Sequence, residues 1–212
     1  SRTRFAARGP CESGSCRLER NPRASQFPKM SRRRRDSQRQ FAVASAAQAA
    51  GAEVVLVAGP VALATPPGVR RIDVDDAAQM LAATFAEIAG TDIFIATAAV
   101  ADYRPAQPAA KKIKKTSESL ALEMQRTTDI LAAVAALAEP PFVVGFAAET
   151  DSVEQYARQK LLKKKLDMIA ANEVGHDKVF EKDDNALLVL WRTARRELPP
   201  APKSELAQQL VP

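Results

Sequence analysis

Four short apolar runs, separated by stretches of helix length, constrain this chain more than any other feature. They read EVVLVAG at 53–59, DIFIATAAV at 92–100, PFVVGFAAE at 141–149 and LDMIAAN at 166–172. A strand that is apolar on both faces must be covered on both faces, as a parallel strand between helix layers is. The intervening segments supply the helices. FAVASAAQAAG is alanine-rich and stopped by Gly51, and DDAAQMLAATFAEIAG carries acids at its start and Gly90 at its end. TTDILAAVAAL at 127–137 offers Thr127 or Thr128 as a cap, SVEQYARQKLLKKK at 152–165 is amphipathic, and KSELAQQLV at 203–211 offers Ser204 as a cap. Weaker strands are expected at 69–74, 119–125 and 185–192, the last two antiparallel or forming an arm. The alternation predicts an α/β fold of three layers, with a mainly parallel sheet and a small β-arm or flap.

Ligands in such sheets bind beyond the carboxyl ends of the strands. Asp102, Phe146 and Asn172 fall at or near such ends. The chain has only eight glycines, and neither the dinucleotide fingerprint nor a phosphate-binding loop occurs. Phosphates would therefore have to be held by lysines and helix starts. Lys111, Lys112, Lys114 and Lys115 cluster around Ile113. Such a cluster is either a solvated strand edge or a flap that lays ammonium groups on a polyphosphate. Lys160 and Lys164 are spaced i,i+4 and share one helix face. Asp102 and Asp129 have ordinary readings as a turn residue and a first-turn acid. His176 is the sole histidine, and no serine is placed to make a nucleophile pair with it.

The charge is unevenly spread. Residues 1–40 hold 12 Lys and Arg against 3 Asp and Glu, whereas the rest of the chain holds 19 against 22. The basic character thus belongs to the first forty residues, which read as an aberrant, disordered basic segment. Both cysteines, Cys11 and Cys16, lie there without zinc-ligand spacing. No secretory signal or membrane-spanning run is present, so a soluble, cytoplasmic protein is expected.

The segments GAEVVLVAGPVALATPPGVRRIDV, IATAAVADYRPAQPAAKKIKK, PFVVGFAAETDSVEQYARQK and LDMIAANEV…VFEKDDNALLVLW occur in an order that resembles a known family. It is the CTP-dependent phosphopantothenate–cysteine ligase domain of the bacterial bifunctional coenzyme A biosynthesis protein. The resemblance covers about residues 41–212. It implies a Rossmann-like fold, a homodimer, and a flavin-dependent decarboxylase as fused or partner domain. It also implies 4′-phosphopantothenate, cysteine and CTP as substrates, with Mg2+ or another divalent cation, and neither nucleic acid nor membrane as partner. The carboxylate would attack the α-phosphate to give an acyl-cytidylate and pyrophosphate, and the cysteine amine would then displace CMP.

Carried over residue by residue, Ala96, Thr97, Ala98 and Asp102 would contact the nucleotide, and Lys112 would neutralise the triphosphate as the catalytic lysine. Thr128, Asp129, Ile130 and Leu131 match a segment that meets CTP, with Thr128 in place of a family proline. Phe146 would pack on the nucleotide, and Lys160 and Lys164 would complete the pocket. The resemblance fails at the front, where a first strand, a Gly-Pro-Thr turn and a Ser-Ser-Gly-Lys stretch are replaced by residues ending SRRRRDSQRQ. The expectation is thus a ligase domain at 41–212 without its usual first strand and with impaired activity. An out-of-frame reading of the gene before residue 40 would account for the break. The competing reading is a non-catalytic nucleotide- or nucleic-acid-binding module that uses the basic arm.

Overall fold

The computed structural model describes residues 4–8, 30–107, 120–173 and 184–211. Its elements are β1 (Arg4–Arg8), α1 (Met30–Ala49), β2 (Glu53–Ala58), β3 (Arg70–Asp73), α2 (Ala77–Glu87), β4 (Ile93–Ala96), β5 (Tyr103–Pro105), β6 (Met124–Arg126), α3 (Ile130–Ala135), β7 (Phe142–Glu149), α4 (Val153–Lys163), β8 (Met168–Glu173), β9 (Asp184–Trp191), β10 (Arg195–Pro202) and α5 (Lys203–Leu210).

Eight strands form one sheet in the order β10-β9-β8-β7-β4-β1-β2-β3. The run from β8 to β3 is parallel throughout, and β9 and β10 add an antiparallel edge. The strand order reverses direction at β1, which makes the carboxyl ends around it the natural crevice. The four apolar runs become β2, β4, β7 and β8. Their period of two sends Val144, Met168 and Ala170 to one face and Val143, Ile169 and Ala171 to the other. α1 and α5 cover the first face, and α3 and α4 cover the second, giving the expected three layers. β5 and β6 pair as a separate two-stranded arm.

The structure corrects several expectations. Arg4–Arg8 stands between β2 and β4, with Ala6 in register with Val55 and Phe94. The sheet therefore has a strand at the position that sequence reading left empty, and residue 40 lies inside α1 rather than at a boundary. Five residues with an arginine at each end give too short a pattern to read as a buried strand. β10 was missed because Pro199 and Pro200 read as breakers. As an edge strand it tolerates them, and the register shifts between Leu198 and Ala201, where they sit. Ser204 makes no cap, because the helix start falls at Pro202. No helix among the described residues is long and apolar enough to cross a membrane.

Candidate functional site

A cavity of about 220 Å³ opens beyond β4 and beside β7. Four segments build it. The first is the loop that follows β4. It is tied to the third segment's start, where the Thr127 amide donates to the Asp102 carbonyl at 2.9 Å and the Thr127 hydroxyl donates to the Ala101 carbonyl at 2.5 Å. The second is β7 at Phe146, the third is the entry to α3, and the fourth is the end of α4.

α3 begins at Asp129, not at either threonine. Its carboxylate accepts from the Ala132 amide at 3.1 Å, and its other oxygen lies 2.7 Å from Lys164 Nζ. Thr127 is instead held by the β4 loop, so it cannot serve as the cap. Partial burial pushes the Asp129 carboxyl up. The Lys164 ammonium, the Ala132 amide and the charges of Lys164 and Lys160 outweigh that and hold it below its ordinary value.

α4 ends in a Schellman turn. Leu166 N–H donates to the Leu161 carbonyl at 2.9 Å and Lys165 N–H to the Leu162 carbonyl at 3.2 Å, with Lys165 left-handed at φ 55°. Leu161 and Leu166 are both fully buried and anchor this turn in the core. The anchored turn fixes Lys160 and Lys164 against the cavity. Lys160 Nζ donates to the Phe146 carbonyl at 3.3 Å. Burial pulls the Lys160 ammonium below its ordinary value, and the neighbouring Lys164 adds to this. Glu149, Asp129 and Asp102 act in the opposite sense. The site thus holds an under-compensated cation, which favours an incoming anion.

Of the residues expected from sequence, Ala96, Ala98, Asp102, Thr128, Asp129, Ile130, Leu131, Phe146, Lys160 and Lys164 all line this one cavity. Thr97 is buried and does not line it. Lys112, with the rest of its cluster, and His176 lie outside the described residues. Sequence reading missed Ala99, Val100, Ala101 and Thr127 as lining residues. Their position between Ala98 and Asp102, and beside Thr128, was the available signal. Among the described residues no group of three or more His, Cys, Asp or Glu could hold a metal ion.

Comparison with known proteins gives a consistent picture. A family model described as the DNA/pantothenate metabolism flavoprotein C-terminal domain matches residues 37–212. The coenzyme A biosynthesis bifunctional protein CoaBC of Vibrio cholerae is 50% identical over 175 residues, covering 81% of this chain and 44% of that protein. CoaBC of Escherichia coli K12 is 49% identical over 176 residues, covering 81% and 43%. The chain thus spans less than half the length of these relatives. The crystal structure of a CoaBC C-terminal domain superposes with a TM-score of 0.73 at 32% identity, covering 99% of this chain and 91% of that one. Cab2 H337A in complex with phosphopantothenate-cysteine shares the fold, with a TM-score of 0.67 at 13% identity.

Proposed function

The chain belongs to the DNA/pantothenate metabolism flavoprotein C-terminal domain family, and on that premise we propose that it is a CTP-dependent phosphopantothenate–cysteine ligase. The carrying observation is the convergence of Asp102, Asp129, Phe146, Lys160 and Lys164 on one cavity at the carboxyl side of β4 and β7. CTP occupies that cavity. Lys160, poorly compensated in the free protein, gains its counter-charge from the triphosphate, and Lys164 is already placed by Asp129. Lys112, in the lysine cluster, neutralises the triphosphate.

The reaction needs little covalent help from the chain. A carboxylate of phosphopantothenate attacks the α-phosphate, and pyrophosphate leaves with its charge met by positioned ammonium groups. The acyl-cytidylate then meets the cysteine amine, and CMP departs. A divalent cation, where bound with the nucleotide, would supply further counter-charge to the triphosphate. Tyr103 and Met124 on the β-arm, and Leu122 in the segment that leads into it, are exposed large apolar residues, which fits an arm that pairs two copies of the chain.

Titration of CTP into the protein tests the site. Wild type binds, and Lys160→Met binds at least tenfold more weakly. Equal affinity in the two proteins would place the nucleotide elsewhere.

A further inference from the structure

Arg39 of α1 stands over the Phe146 ring, its guanidinium carbon 5.6 Å from the ring centre. A cation at that distance over an aromatic face is attracted by the ring's quadrupole. The planar guanidinium suits this contact better than an ammonium group does. Phe146 lines the nucleotide cavity, and it packs against the core on the face that α1 and α5 cover. Arg39 itself does not line the cavity. It reaches the site only through the ring.

The turn of α1 that carries Arg39 is fastened on three sides. Gln40 is fully buried, and its amide nitrogen donates to the Val57 carbonyl of β2 at 3.2 Å. Phe41 is buried in the core beneath α1. Gln38 Oε1 accepts from Lys203 Nζ of α5 at 3.3 Å. Arg39 therefore projects from a fixed helix turn, as a group that must hold another in place should.

Phe146 is held at two points. Lys160 Nζ donates to its carbonyl at 3.3 Å, which grips the strand, and Arg39 covers its ring. A half-buried ring on the wall of an open cavity keeps rotational freedom that a stacked cation removes. Order imposed before binding lowers the cost of binding.

We propose that Arg39 is a positioning residue of the nucleotide site, which sets the Phe146 ring as a ready-made wall for the nucleotide. The inference rests on the ligase reading, in which Phe146 packs on CTP. It also brings a residue of the basic first forty into the working of the site.

A double-mutant cycle tests it, with CTP titrated into each protein. Arg39→Met keeps a long side chain and removes the guanidinium, and it should bind CTP roughly three- to tenfold more weakly than wild type. Arg39→Lys, which keeps the cation without the planar fork, should fall between the two. In a Phe146→Leu background, Arg39→Met should cause no further loss, because the ring through which it acts is gone. In pyrophosphate release, Arg39→Met should raise the KM for CTP by the same factor and leave kcat and the KM for phosphopantothenate unchanged.

Wild-type CTP affinity in Arg39→Met overturns the assignment and leaves the nucleotide site standing. So do losses that add in the double variant, since they put Arg39 on the nucleotide directly. A lowered melting temperature with unchanged CTP affinity also overturns it, because the contact then serves the fold alone. Absence of CTP binding by the wild type overturns the ligase reading as well.

Discussion

Lys164 Nζ lies 2.7 Å from the Asp129 carboxylate, so the C-cap of α4 is fastened to the N-cap of α3. One side chain both caps a helix and places a cation on the wall of the cavity. The pair is partly exposed, so its worth to stability is small, and its main effect is positional.

Asp129 is held below its ordinary carboxyl value of 3.8 in the folded chain. A depressed carboxyl contributes stability that is present above the unfolded value and lost as the pH falls through the folded one. Asp129→Asn keeps a capping oxygen but loses the charge. The stability difference between wild type and this variant should be largest near neutrality and should shrink as the pH falls below the ordinary value. Denaturant melts at several pH values measure it, and a difference independent of pH would refute the role of the ion pair. Asp129→Ala should cost about 1 kcal/mol more, for the lost cap.

Lys160 shows the opposite balance. Its ammonium is depressed by burial and by Lys164, so the unfolded chain holds that proton more tightly. Stability should therefore rise as the pH climbs from the folded value toward the ordinary 10.5. Lys160→Met should leave the free protein as stable as wild type or more so, since it removes a poorly compensated charge. The same change should weaken nucleotide binding, so thermal melts with and without CTP should move in opposite directions.

β1 supports the sheet between β2 and β4. Deleting residues 1–8 should expose the edges of both neighbours and cause a large fall in melting temperature or loss of soluble protein. A truncated chain that melts normally and still binds CTP would show that Arg4–Arg8 is dispensable. If the basic segment served nucleic acid instead, the chain would show a steeply salt-dependent affinity that is lost on deleting residues 1–40.

The exposed arm gives a fourth expectation. Leu122→Glu should shift the chain from dimer to monomer in sedimentation, with the melting of the isolated domain little altered. An unchanged mass would remove the arm from the interface.

Much of this architecture was legible because the signals were redundant. β2, β4, β7 and β8 are apolar on both faces, and only a covered parallel sheet accommodates that. The cavity was legible through its residues' order and types, since Asp102, Asp129, Phe146, Lys160 and Lys164 come from four separated segments yet line one space. What escaped sequence reading was short or locally contradictory. β1 is five residues with arginines at both ends, and β10 carries two prolines that only an edge can absorb. Thr127 reads as a cap, but its hydroxyl is taken by the Ala101 carbonyl, a tertiary partner that no local pattern announces. Arg39 fell inside the stretch read as a basic segment, and its place over the Phe146 ring is a tertiary contact of the same kind.

Pyrophosphate release from CTP in the presence of phosphopantothenate, without cysteine, tests the central claim most directly. Pyrophosphate should form only when both substrates are present, and Lys112→Ala should lower the rate about a hundredfold or more, as loss of a positioned charge at a transition state does. Folded wild-type protein that releases no pyrophosphate, or a Lys112→Ala variant that releases it at the wild-type rate, would contradict the account.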